Sequence, residues 1–119
     1  MTRTAIQRED FYIPASEDFI AAFGGELEFD EQTHTECYLF ADDANRVSRM
    51  YIGIADRTFG LSIIFEGDEI VRVYDENLSE IRLDEERQVI IIKLGTFNCD
   101  QKVELAVWPR IAVSFSRLR

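Results

Sequence analysis

Glu26, Glu28 and Asp30 alternate with Leu27 and Phe29. On an extended strand these three carboxylates project from one face, about 6.5–7 Å apart. A row of carboxylates has three possible chemistries: it can hold a cation, exchange protons with a substrate, or meet a basic surface. Calcium takes roughly six to eight converging oxygens. A flat row does not converge, even with Glu31 or Asp42 and Asp43 added, and no EF-hand spacing is present. Acid–base catalysis calls for a carboxyl held in a desolvated pocket, and with 23 acids in the chain a chance pair carries little weight. Docking onto a basic protein needs only exposure and charge, and the alternative to docking is an ordinary solvated strand face.

The other reactive residue types are sparse. His34 is the single histidine, and it lies in the polar stretch Gln32–Thr35, which reads as an exposed loop. Cys37 follows three residues later, but on a strand positions of opposite parity point to opposite faces, so a His–Cys dyad is not favoured. Cys37, Cys99 and His34 supply three ligands, too few for a closed four-ligand zinc site. The two cysteines read as small buried hydrophobes, and a disulfide between them would need the fold to bring them together. Gly24-Gly25 lacks the Lys and Ser/Thr of a phosphate loop and reads as a helix stop. Trp108-Pro109-Arg110, with Phe97, Tyr51 and Tyr74, is a candidate aromatic patch of the kind that anchors interfaces. No cofactor and no catalytic residue is implied.

Charge gives the row its context. The chain has 119 residues and a formal charge of −10, yet eleven acids and no Lys or Arg fall between Glu9 and Asn45. Residues 46–119 hold twelve acids against eleven bases, so the negative field is regional, and such a field steers oppositely charged partners. The same field repels nucleic acid, and the sparse basic end at Arg110, Arg117 and Arg119 does not offset it. Of thirteen basic residues eleven are Arg, which suits bidentate pairing with the acids of the second half. The acids of 9–45 have no such neighbours in sequence, and they stay free unless distant arginines fold onto them.

The elements that position these groups are predicted from periodicity. Ser16 reads as a helix N-cap with Glu17 and Asp18 in the first turn, and Phe19, Ile20 and Phe23 form one stripe. A short helix over about 16–23 follows, too short to be stable unless its apolar face docks. Beyond Gly25 the period becomes two. Strands are expected at 26–30, 37–40, 50–54, 59–65, 70–74, 81–83, 89–94, 103–107 and 111–115, with turns near Asp56-Arg57, Glu66-Gly67-Asp68, Asp75–Asn77 and Asp84–Arg87. The continuous run Val89–Leu94 suits a strand buried on both faces. Pro109 marks a bend. The expected fold is mainly β: an antiparallel sandwich or partly open barrel of about seven to nine short strands with one short N-terminal helix.

One domain over 1–119 is expected, with an acidic segment 9–45 and a strand-rich body 46–119. The absence of an apolar run of membrane length, and of an apolar leader after Met1, predicts a cytoplasmic protein with no membrane contact. The leading functional expectation is a non-catalytic acidic domain that docks on a basic partner protein, such as a toxin or nuclease, through Glu26, Glu28, Asp30, Glu31, Asp42 and Asp43. Small acidic inhibitors of basic toxins, bacterial immunity proteins among them, share this profile of charge and size. Two alternatives stand beside it: a β-barrel or sandwich that binds a small molecule in an apolar cavity lined by Phe and Ile, and self-association through an exposed edge strand.

Overall fold

Alternating sequences of this kind bury one face of each strand, and two such sheets close on one another to form a core. A computed structural model, which describes residues 2–96 and 99–118, shows this arrangement. Eleven strands form two sheets. In chain order they are β1 (Ile6–Arg8), β2 (Phe11–Ile13), β3 (Glu26–Asp30), β4 (Thr35–Ala41), β5 (Arg46–Gly53), β6 (Thr58–Phe65), β7 (Asp68–Asp75), β8 (Leu78–Asp84), β9 (Val89–Thr96), β10 (Cys99–Ala106) and β11 (Ala112–Leu118), with the helix α1 (Ser16–Phe23) between β2 and β3. The expected sandwich is present with its single short helix. The strand number exceeds expectation because β1 and β2, three residues each, are too short to show a period.

Both sheets are assembled almost wholly from neighbours in sequence. Strands β3 to β7 follow one another in a five-stranded antiparallel meander, and β8 to β11 do the same in the other sheet. The β1–β2 hairpin extends the second sheet by a parallel contact, Tyr12 beside Glu80, so that sheet is mixed. Between β7 and β8 the chain changes sheet through Glu76-Asn77 alone. The corner is held by the Asn77 N–H on the Asp75 carboxylate at 2.7 Å and the Gly95 N–H on the Asn77 carbonyl at 2.9 Å.

Inward positions alternate as the pleat dictates. Tyr38 and Phe40, Met50 and Ile52, and Phe59, Leu61 and Ile63 come from one sheet; Ile81, Ile90, Ile92, Val103 and Leu105 come from the other, and all join one buried cluster. In β9 the alternation survives inside the β-branched run: Ile90, Ile92 and Leu94 are buried while Ile91 and Lys93 are half-exposed. The strand is therefore covered on one face, not both: among the described residues no helix packs over its outer side as a crossover helix would. The helix covers one end of the sandwich. Phe19 is fully buried and stacks on Tyr38 with ring centroids 4.3 Å apart, and Phe23 meets Phe40 edge-on at 6.1 Å. Gly24 (φ 71°) caps the helix through its N–H on the Ile20 carbonyl, and Gly25 (φ 84°) lies where any side chain would strike the Leu39 carbonyl and Phe40 ring. Ser16 is not the N-cap: it is the first helical residue, and its hydroxyl is taken up by the backbone of Arg3.

Among the described residues five hairpin turns use a non-glycine residue with positive φ: His34, Asn45, Arg57, Glu66 and Gln88. The Glu66-Gly67 loop has both φ values positive (52° and 85°), as a two-residue type I′ turn requires, and Asn is favoured over Glu at that first position. Glu66→Asn should therefore raise stability by on the order of 1 kcal/mol, read as a higher denaturant midpoint. Phe19→Ala should cost about 3–5 kcal/mol in the same measurement.

Candidate functional site

The acidic residues of the N-terminal third separate into three groups by where the strands place them. Those at even positions of β4 point inward, and Glu36 is thereby carried into the core, 2% exposed. It is met there by Arg3, whose Nε and Nη2 donate to its two oxygens at 2.6 and 2.9 Å, and by the Tyr38 hydroxyl at 2.8 Å. Burial pulls the Arg3 guanidinium down, but the hydrogen bond and charge of Glu36 outweigh it, and the net shift is upward. Burial, then the Glu36 charge, pushes the Tyr38 phenol well above its ordinary range. Tyr38 thus remains a neutral donor.

Asp42 belongs to the second group, whose carboxylates are engaged by other parts of the same chain. It lies at the β4–β5 turn and accepts the N–H groups of Ala44 and Arg46, each at 2.9 Å, and of Ile111 at 2.7 Å. The Arg46 Nη1 donates to the Ile111 carbonyl at 2.9 Å, so the β4–β5 turn grips the Ile111 peptide on both sides and ties the two sheets together. Partial burial raises the Asp42 carboxyl, but the bonds from Ile111, Arg46 and Ala44 prevail and hold it below the usual carboxylate range. Asp10 pairs with Arg57 at 2.9 Å on the surface, and Arg57 also covers the Phe11 ring. Arginines remote in sequence do fold onto Glu36 and Asp10.

The third group is left outward. Glu26, Glu28 and Asp30 occupy the solvent face of β3, which is the last strand of its sheet, and all three are exposed. Asp30 uses one oxygen to cap the following turn, accepting from Gln32 N–H at 2.9 Å. Glu31 continues the row into that turn, and Asp43 stands beyond the end of β4 that pairs with Glu26. Among the described residues none of these five takes part in an ion pair. Asp42 is close in sequence to Asp43 but faces the Ile111 backbone instead.

The register carries the row across the sheet. Glu28 is opposite Cys37, Cys37 opposite Tyr51, Tyr51 opposite Gly60 and Gly60 opposite Tyr74. The adjoining line runs from Glu26 through Leu39, Arg49 and Ser62 to Arg72. One open face therefore passes from carboxylates at the β3 edge to Tyr and Arg near β7, where a depression of about 520 Å³ lies between Tyr51 and Tyr74 over Gly60. Arg49 and Arg72 carry no mark in the sequence that would place them there; the strand register alone does so. Tyr51 and Tyr74 belong to this face, whereas Trp108, 52% exposed, lies beside Gly25 and Ala41. The candidate aromatic patch is thus divided between two places, and Phe97 lies outside the described residues.

The inner side of β3 differs. Leu27 and Phe29 line an apolar cavity of about 580 Å³ together with Ile54, and Arg3, His34 and Glu36 are also in its wall. His34 is exposed in the β3–β4 turn at φ 52°, a conformation that His tolerates better than most residues. Cys37 is free and half-buried, and burial pushes its thiol up; the side chain of Cys99 and the terminal Arg119 lie outside the described residues. Among those residues no group of three or more His, Cys, Asp and Glu is disposed to hold a metal ion, and no helix is long and apolar enough to cross a membrane.

Neither a family model nor a curated relative matches this sequence. The structure, by contrast, superposes over 88% of its length on 95% of one chain from a solved contact-dependent growth inhibition toxin–immunity protein complex of Klebsiella pneumoniae 342, with a TM-score of 0.77 and 17% identity. At that identity what is shared is the fold.

Two substitutions test the spent carboxylates. Arg3→Met strands Glu36 in the core and should cost about 3–5 kcal/mol, read by denaturant unfolding. The Asp42 carboxyl has a folded-state pKa below its ordinary 3.8, so its stabilisation is present above that value and lost as pH falls through the lower one. The stability gap between wild type and Asp42→Ala should stay constant above about pH 5 and shrink below it.

Proposed function

We propose that this chain is a non-catalytic inhibitor of the immunity type, which neutralises a basic toxin by docking the β3 edge and its flanking acids onto it. The observation that carries the reading is the separation of the acids: Glu36, Asp42 and Asp10 are bonded to distant parts of the chain, while Glu26, Glu28, Asp30, Glu31 and Asp43 are exposed and form no ion pair among the described residues. A fold shared with a chain of a toxin–immunity complex adds support. In such a complex the carboxylates would speed encounter and match Lys and Arg on the partner, and the neighbouring Tyr51, Tyr74 and Arg49 would supply anchoring contacts. Asp42 acts in this scheme by holding the β4–β5 turn that presents Asp43. A reducing cytoplasmic location suits the free Cys37.

The alternative of a small-molecule carrier draws on the cavity beside Leu27 and Phe29. That cavity lies at the edge of the sandwich with Thr2, Thr4, Phe29, His34 and Ala55 exposed around it, which suits a contact surface better than an enclosed ligand.

The test is capture of a basic protein by wild type and by a variant bearing Glu26→Gln, Glu28→Gln, Asp30→Asn, Glu31→Gln and Asp43→Asn. Asp42 stays intact so that the fold is preserved. The variant should bind at least about tenfold more weakly at low ionic strength, with the difference shrinking as added salt shortens the screening length. Equal capture by the two proteins overturns the reading.

A further inference from the structure

We infer that the partner engages β3 by strand addition, contributing an extended segment in which basic and apolar side chains alternate. This deepens the docking reading and rests on it. A strand at the edge of a sheet offers unpaired backbone groups on its open side, and proteins usually blunt such edges with charged side chains (Lys above all), Pro, bulges or brevity. Charges of one sign repel a second copy of the strand but favour a segment of the opposite sign. Here β1 is only three residues long, and the pairing of β7 is interrupted by a register shift between Ile63 and Ile64. The β11 edge exposes Phe115 but carries no row of like charge. In contrast, β3 has five residues in unbroken register with β4 and contains neither Lys nor Pro.

The two sides of β3 are chemically opposite, and this defines the occupant. Side chains of an added strand would alternate between the same two faces, with directly opposed Cβ atoms about 4.5–5.5 Å apart. Those on the outer face would meet Glu26, Glu28 and Asp30, within reach of Lys or Arg. Those on the inner face would enter the cavity beside Leu27, Phe29 and Ile54. Phe29 is 36% exposed there, a large apolar surface that a partner would cover. The one carboxylate in the cavity wall, Glu36, is already bonded to Arg3 and Tyr38, so an apolar side chain would not face a bare charge. Backbone pairing would supply affinity, and the alternation would supply register and specificity.

The test uses three dye-labelled heptapeptides of equal charge: one alternating Lys and Val, one with the same residues in two blocks, and the alternating peptide with N-methyl groups on its backbone. The alternating peptide should bind at least about tenfold more tightly than the other two and should slow hydrogen exchange of the β3 amides. Equal affinity of the three peptides overturns strand addition and leaves charge docking intact, as does failure of all three to bind at about millimolar concentration. If the alternating peptide binds Glu26→Gln/Glu28→Gln/Asp30→Asn as well as wild type, the acidic row plays no part, and the docking reading fails with the inference.

Discussion

Glu36 brings a carboxylate into the space between two sheets, and the first quarter of the chain is arranged around that fact. A buried charge left alone is among the most costly features a core can contain, so Arg3 must reach it from outside the sheets. Arg3 is held for this task by its backbone bonds with Ser16, the residue that begins α1. The helix in turn places Phe19 on the ring of Tyr38, whose hydroxyl completes the shell around Glu36. The N-terminal segment, the helix and β4 are therefore coupled through one ion pair. Pairs of this kind contribute little net stability, because desolvation offsets their attraction, yet removing one partner is costly because the other charge is left buried.

With that charge neutralised inside, and with Asp42 and Asp10 bonded within the chain, the other acids of the N-terminal third stay on the surface. The fold assigns them by strand parity: in β4 the even positions turn inward, while in β3 the even positions turn outward. A single residue of slip in either strand would exchange the two sets. The division between inward and outward carboxylates is thus a property of register, and it places Glu26, Glu28 and Asp30 on a strand that ends its sheet among the described residues.

Much of this was legible in the sequence. Period-two stretches and short apolar runs, Val89–Leu94 among them, located nine of the eleven strands, and the boundaries of α1 matched through its apolar stripe and its glycine stop. The three-residue strands escaped because they span barely one repeat. The role of Ser16 was misread for a related reason: a serine before an apolar stripe looks like a cap, and only the return of Arg3 shows what its hydroxyl bonds. Glu26, Glu28 and Asp30 were visible as a row because they are local. Glu36 and Asp42 looked equally available, since their partners, Arg3 and Ile111, are distant in sequence. Arg49 and Arg72 could not be placed beside Tyr51 and Tyr74 until the register of four strands was known.

The two meanders have a further consequence during synthesis. Residues 26–75 complete the five-stranded sheet before any strand of β8 to β11 has left the ribosome. At about 5–20 residues per second the inner face of that sheet waits several seconds for its cover. During this interval Tyr38, Phe40, Met50 and Leu61 have only α1 and the β1–β2 hairpin to shield them, while the surplus of negative charge opposes association of nascent chains. The acids exposed on the finished protein thus also guard its unfinished form.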